Sequence, residues 1–333
     1  MSEIAVLIVG LGPIGKLAAR IALERDNLQV IGGVDIAPEL VGRDLGLVLD
    51  GPDLGLRVED AIPPAPRDRP AVAVLTTSSK LSLAAGQTKT LMAAGWSVAT
   101  TCEEMAYPWV TQPELSRDLD RAAREAGRVV FATGVNPGFA MDALPVLLTG
   151  AMRRTESILV ERFQDASTRR LPFQQKIGAG LDLDQFRKKV DQGIIRHVGF
   201  TESIHLIAAA WGISLAKVEE QVRPAMAASV LTSPFMTVLP GQVAGVDQIA
   251  QGFYDGKAVI TLHLQAYFGH PSPRERILAQ GDPPLELLVP GGIPGDTATC
   301  AITVNAISKV TGLQPGLRTP LDLVGPAGRF SPT

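Results

Sequence analysis

Residues 4–9 (Ile-Ala-Val-Leu-Ile-Val) form an unbroken apolar run that stops at a glycine. A run without polar alternation marks a strand buried on both faces, as in a parallel sheet with helices on either side. From 13 to 25 the apolar residues return at Ile14, Leu17, Ala18, Ile21 and Ala22, close to one helical face. Residues 28–34 are again strand-like and lead to Asp35, so this stretch reads as one βαβ unit. The alternation continues with strands at 71–75, 97–99 and 129–131 and helices at 81–94 and 113–126. It predicts an α/β fold, a Rossmann-type doubly wound parallel sheet. Pro63-Pro64-Ala65-Pro66 reads as an exposed connection between the second and third strands.

Beyond Asn136-Pro137-Gly138 the pattern changes. Segments 157–164 and 257–268 look like longer strands with polar alternation, while 202–211 and 215–228 look helical. This predicts an α+β second domain with a mostly antiparallel sheet. Residues 297–311 are helix-like, with a small-residue face of Ala298, Ala301, Ile302, Asn305, Ala306 and Ser308 that suits a return to the first domain. The expected division is 1–140 with 296–333 as the dinucleotide-binding domain and 141–295 as a substrate and dimerisation domain. A homodimer is expected, because a sheet of long alternating strands needs its outer face covered.

Composition narrows the picture. A length of 333 residues suits two domains at roughly 150 residues each. With 46% hydrophobic and 20% charged residues, disorder is excluded. A net charge of −3 leaves no bulk basic field for nucleic acid or anionic lipid. Cys102 and Cys300 are too far apart in sequence for a disulfide framework or a metal cluster, and His197, His205, His263 and His270 show no metal spacing. No basic leader and no apolar run of about 18–20 residues is apparent, so a cytoplasmic protein is expected.

Gly10-Leu11-Gly12-Pro13-Ile14-Gly15 matches the dinucleotide fingerprint between a buried strand and a helix start. Gly10 suits the tight turn, Gly12 the close approach of a pyrophosphate, and Gly15 close packing of helix on sheet. The pyrophosphate would sit on free N–H groups at the helix start. Asp35, 20 residues beyond the last glycine, suits the hydroxyls of an adenine ribose. A carboxylate there repels a 2′-phosphate, and Ile36 and Ala37 supply no cation, so NAD is favoured; Arg43 keeps NADP open.

Ligands bind such sheets at the carboxyl ends of the strands. Three ends carry suitable chemistry: Thr76-Thr77-Ser78-Ser79, which is also a plain helix-capping pattern; Thr100-Thr101-Cys102-Glu103-Glu104 running to Tyr107-Pro108-Trp109; and Gly134-Val135-Asn136-Pro137-Gly138-Phe139.

These segments carry a resemblance. The glycine turn, Thr101-Cys102-Glu103-Glu104 with Tyr107-Pro108, and Gly134 to Phe139 with Met141-Asp142 resemble the amine dehydrogenases related to 2,4-diaminopentanoate dehydrogenase, distant kin of dihydrodipicolinate reductase. So do Arg169-Arg170 with Pro172-Phe173-Gln174 and Lys176-Ile177-Gly178, and His197-Val198-Gly199 with Glu202-Ser203. The resemblance implies a nicotinamide-dependent oxidoreductase that interconverts an amine with a ketone or aldehyde plus ammonia. It implies one catalytic glutamate at the Glu103–Glu104 position, and the spacing to the Asn-Pro-Gly element favours Glu103. The physical logic agrees, since a carboxylate stabilises a cationic iminium and shuttles protons while an apolar pocket excludes water. Expected cofactor contacts are Gly10, Gly12, Pro13, Ile14, Gly15, Asp35, Thr76, Thr77, Ser78, Thr101, Asn136 and Pro137. Candidate pocket residues are Phe139, Phe163, Phe173, His197 and Thr299, with Trp109 as a further aromatic; scattered aromatics also serve as core.

Two departures matter. Lys176 is not preceded by the His-His pair of the reductases that bind a dicarboxylate, and Tyr254 and Lys257, three apart in an expected turn, do not form the tyrosine–lysine pair of short-chain dehydrogenases. Two other readings stay open: a dehydrogenase of this type acting on an alcohol, aldehyde or cyclic imine, and a regulator that binds NAD(P) without turnover.

Overall fold

The computed structural model describes residues 3–323, 325, 329 and 330. In chain order its elements begin β1 (Ile4–Val9), α1 (Pro13–Leu23), β2 (Leu28–Val34), α2 (Leu45–Val48), β3 (Val58–Glu59), β4 (Ala71–Leu75), α3 (Leu81–Ala93), β5 (Ser97–Thr100), α4 (Pro113–Glu125) and β6 (Val129–Ala132). Next come α5 (Ala143–Thr149), β7 (Arg154–Asp165), α6 (Leu171–Lys176), α7 (Leu183–Asp191), α8 (Phe200–Ala210), β8 (Lys217–Met226), β9 (Leu231–Thr232) and β10 (Thr237–Val238). The chain closes with β11 (Val243–Tyr254), β12 (Lys257–Tyr267), β13 (Arg274–Asp282), β14 (Leu285–Pro290), α9 (Gly295–Val310) and β15 (Gly316–Arg318). Among the described residues, those up to Phe139 and from Pro294 to Leu323 form one compact unit, and the rest form a second. Gly325, Arg329 and Phe330 thus join the second unit, where Phe330 stacks on Trp211 and the Arg329 carbonyl accepts the Thr155 N–H at 2.9 Å. The other residues of the expected 296–333 segment beyond Leu323 lie outside the described residues.

The first unit is a seven-stranded parallel sheet in the order β15-β6-β5-β4-β1-β2-β3. Successive side chains of a strand point to opposite faces. Ala5, Leu7 and Val9 belong to one buried cluster with Leu81 and Ala84 of α3 and Leu119 and Ala123 of α4. Ile4, Val6 and Ile8 meet Ala18 and Ala22 of α1 and Cys300, Val304 and Ile307 of α9. Both faces are dry, which is why the run is apolar without alternation. The expected small-residue face of α9 is only partly the buried one: Ala306 is buried beside Cys300, Thr303, Val304, Ile307 and Val310, Ala298, Ala301 and Ile302 are half-buried, and Asn305 and Ser308 are exposed. Asn305 and Ser308 lie at the margin and reach Arg25 and Asn27. The Pro63–Pro66 connection is only partly exposed: Ala65 packs on the core and the Trp96 indole donates to the Pro63 carbonyl at 2.8 Å.

The second unit holds a six-stranded sheet in the order β14-β13-β7-β12-β11-β8, antiparallel except for the β7–β12 pair. Asp255 and Gly256, at φ 49° and 77°, make the two-residue turn between β11 and β12. Helix α8 covers one face, its Ile204 lying where Gly252 leaves room. The opposite face carries the half-buried Asp247, His263, Gln265 and Tyr267 and the more exposed Glu219, Gln221 and Arg223. The helix expected at 215–228 is instead the edge strand β8. Its lysine, glutamates, glutamine and alanine have helix propensity, but pairing with β11 decided the outcome, and Pro224 is tolerated because the strand lies at an edge.

Candidate active site

The glycine turn is shaped by three different constraints. Gly10 has φ +88°, a left-handed conformation that side chains disfavour. A Cβ on Gly15 would lie 1.7 Å from the Gly10 carbonyl oxygen, so α1 could not approach the turn. At Gly12, by contrast, no described atom outside the glycine and its two chain neighbours lies within 4 Å of the place a Cβ would occupy, and this residue supplies no side-chain cap to α1. Open backbone before uncapped first-turn N–H groups, with Pro13 leading the helix, fits a dinucleotide pyrophosphate. Asp35 stands at the end of β2, where one oxygen accepts the Leu11 N–H at 2.6 Å and the other the Ala37 N–H at 2.9 Å. Ile36 beside it is 86% exposed.

At the end of β4 the hydroxyls are largely engaged. Thr76 donates to the Gly10 carbonyl at 2.8 Å and braces the glycine turn, Thr77 bonds Gln87, and Ser78 accepts the Lys80 N–H at 3.0 Å before α3. At the end of β5, Thr100 donates to the Leu75 carbonyl at 2.8 Å and accepts the Cys102 N–H at 3.2 Å, while the Thr101 N–H donates to the Leu75 carbonyl at 3.2 Å. Burial, then the charge of Glu103, pushes the Cys102 thiol up to about 12, so it stays protonated.

The two adjacent carboxylates differ. Both lie on a 3₁₀ turn, Glu103–Met105. The Glu104 Oε2 atom accepts the Leu81 N–H at 2.9 Å and the Gln112 side-chain amide at 3.0 Å. The half-buried Glu103 carboxylate makes no hydrogen bond among the described residues. Burial raises the nearby Tyr107 hydroxyl, and Trp109 packs against the core between sheet and helices.

The turn after β6 is built on close backbone approach. The Asn136–Pro137 peptide is cis and Asn136 is buried. Thr299, on α9, accepts the Val135 N–H at 3.2 Å and lies against Gly134, so it supports this turn from below. Phe139, the last residue of the unit before the chain leaves it, is 37% exposed.

The remaining candidates belong to the second unit, and the sheet separates them. Phe163 of β7 lies on the sheet face that carries His263 of β12, whose ring it meets edge-on at 4.9 Å. Arg274 stacks over Phe163 at 4.3 Å and His263 bonds Asp247 at 2.9 Å. His197 belongs to the other face, where Gln248 accepts its backbone N–H at 2.7 Å and donates to its carbonyl at 3.0 Å. Its Nδ1 meets the Val198 carbonyl at 2.8 Å, and burial, assisted by the charges of Lys176 and Arg162, holds the imidazole down to about 3. Phe173 carries the Arg169 guanidinium at 4.1 Å from its ring centre. Arg162 and Glu275 form a buried ion pair that also holds the backbone of Ile293, through its carbonyl at 3.1 Å and its N–H at 3.2 Å.

Three glutamines act as hubs, of which the sequence patterns named only Gln174 and gave none of them this role. Gln112 holds Glu104, Gln248 holds His197, and the fully buried Gln174 donates to the Ala166, Ser167 and Arg169 carbonyls while accepting from Ser233. Gln174 stands within the Pro172-Phe173-Gln174 motif, but nothing local reveals its buried role.

The chain has specific relatives. Residues 139–331 match the family model of the 2,4-diaminopentanoate dehydrogenase C-terminal domain. The 2,4-diaminopentanoate dehydrogenase of Acetoanaerobium sticklandii is 30% identical across 98% of this chain and 95% of its own length. An amine dehydrogenase of Streptomyces virginiae is 24% identical, covering 96% of each chain. The structure of an amine dehydrogenase from Mycobacterium smegmatis superposes with a TM-score of 0.82 at 24% identity, covering 96% of this chain and 95% of that one.

Proposed function

The chain belongs to the 2,4-diaminopentanoate dehydrogenase family, oxidoreductases of CH–NH2 groups that use a nicotinamide cofactor, and we propose that it interconverts an amine with a ketone or aldehyde plus ammonia through an iminium. The observation that carries the reading is Glu103, a carboxylate without a hydrogen bond among the described residues, at a strand end of the sheet whose first turn fits a dinucleotide. When bound, the cofactor supplies hydride to the substrate carbon or removes it. Toward the amine, carbonyl, ammonia, reduced cofactor and one proton give amine, oxidised cofactor and water. Glu103 takes a proton from the attacking nitrogen, returns one to the departing hydroxyl and stabilises the cationic iminium. Gly10, Gly12 and Gly15 with the start of α1 hold the pyrophosphate, and Asp35 holds the adenine ribose.

NAD is the preferred form in this reading. The carboxylate of Asp35 opposes a 2′-phosphate, and the exposed Ile36 beside it brings no compensating cation. The open face of the six-stranded sheet, with alternating exposed side chains on β8, supports a homodimer formed through it. A monomeric mass by light scattering would refute that contact.

The test is NADH consumption with a panel of ketones and aldehydes at high ammonium. Turnover that vanishes when ammonium is omitted supports the reading. Ammonium-independent turnover points instead to a dehydrogenase of alcohols, aldehydes or cyclic imines, and binding without turnover to a regulator. Glu103→Gln should keep NADH affinity and lose turnover by about 10²–10⁴-fold, because it removes charge rather than shape.

A further inference from the structure

We propose that Glu104 and Gln112 form a positioning clamp for Glu103; the proposal rests on reading Glu103 as the catalytic carboxylate. The turn that carries Glu103 is pinned on both sides of it. Upstream, Cys102 is buried and its N–H donates to the Thr100 hydroxyl at 3.2 Å. Downstream, Glu104 is tied to the chain before α3 twice, its N–H donating to the Ser79 carbonyl at 3.2 Å and its Oε2 accepting the Leu81 N–H at 2.9 Å.

Leu81 is the first residue of α3, and Lys80 before it provides no side-chain cap. Glu104 therefore caps α3 from a distant part of the chain, where the positive end of the helix favours a carboxylate. The other donor, Gln112, stands at the N-cap position of α4 but does not cap that helix with its side chain; it turns its amide to Glu104 at 3.0 Å. One carboxylate thus joins the starts of two helices to the turn. Of the two glutamates, the clamped one holds the backbone, and its neighbour is left to exchange protons.

Both donors use the same oxygen of Glu104. An amide carbonyl in that place can accept both, so Glu104→Gln preserves the clamp while removing the charge. Glu104→Ala removes the clamp. This reverses the logic at Glu103, where the charge itself is required.

The experiment measures kcat, KM for ammonium, NADH affinity and thermal midpoint for Glu104→Gln, Glu104→Ala, Gln112→Ala and Glu103→Gln. Glu104→Gln should keep kcat within about threefold, whereas Glu104→Ala should lose about 10- to 100-fold in kcat with NADH affinity little changed, as expected for a misplaced reacting group. Gln112→Ala, which leaves the cap on α3 intact, should lose about threefold to tenfold on the same ground, and it carries the test if Glu104→Ala does not fold. Loss in Glu104→Gln equal to that in Glu104→Ala overturns the clamp, since the charge would then be the needed feature. So does wild-type kcat in both Glu104→Ala and Gln112→Ala. Full activity in Glu103→Gln is a different failure: it removes the premise about Glu103 itself.

Discussion

Asp35 accepts the backbone N–H of Leu11 at 2.6 Å, joining the end of β2 to the middle of the glycine turn. The residue expected to meet the adenine ribose is thus also part of the frame that shapes the glycine turn. Asp35→Ala should weaken NADH binding by about 10- to 100-fold, the range for a lost hydrogen bond to a charged group. NADPH should lose less, because a charge that opposes its 2′-phosphate is gone. Fluorescence titration of both cofactors decides; an unchanged ratio of affinities counts against the preference for NAD.

Gly138 has φ +123°, and a Cβ there would lie 2.4 Å from the Gly134 nitrogen and 2.6 Å from the Thr133 hydroxyl. Gly138→Ala should cost more than about 2 kcal/mol, since strained backbone and overlap act together. Gly127, at φ +64° with open space around it, is the control. Its alanine variant should cost about 1 kcal/mol. Equal losses in chemical denaturation would show that the Asn-Pro-Gly turn relaxes.

The side chains of Arg162 and Glu275 are only 2% and 1% exposed. Arg162→Met leaves a buried carboxylate without its counter-charge and should destabilise by about 3–5 kcal/mol. Adding Glu275→Leu should restore most of that loss, because an apolar pair needs no counter-charge. A double variant no more stable than Arg162→Met would show that the grip on Ile293, rather than charge balance, is what the pair supplies.

His197 gives a pH dependence of defined sign. Its imidazole is held down to about 3, against an ordinary value of 6.5, by burial and then by the charge of Lys176. Between those values the unfolded chain binds a proton that the folded chain does not. The stability contributed by the neutral ring is therefore present above about pH 6.5 and lost as the pH falls toward 3. In His197→Gln that component is absent, so the stability advantage of the wild type over the variant should shrink from pH 7 to pH 4. A difference independent of pH would contradict the assignment.

The five inner strands of the parallel sheet were legible because their burial is local, β1 and β4 being apolar at every position with both sides covered; β3 and β15, two and three residues long at the sheet edges, were not expected. The glycine turn was legible for the same reason, since backbone geometry at Gly10 and Gly15 excludes other residues within a six-residue span. Strand β8 was not. Its alternation of exposed and half-buried positions was present in the sequence, but the residues filling it are helix formers, and only β11 supplied the pairing. The second sheet also turned Phe163 and His197 to opposite faces, which depends on strand register and on where α8 lies.

By itself the sequence determined the class of fold, the glycine turn with Asp35 at its side, and, through motif resemblance, the family. Each depends on periodicity or on residues close together along the chain. The resemblance already favoured Glu103, but only tertiary structure gave Glu103 and Glu104 different surroundings. Neighbouring glutamates are chemically alike, and the difference between them comes from a helix start 23 residues earlier and a glutamine 8 residues later, which claim one carboxylate and leave the other without a hydrogen bond among the described residues.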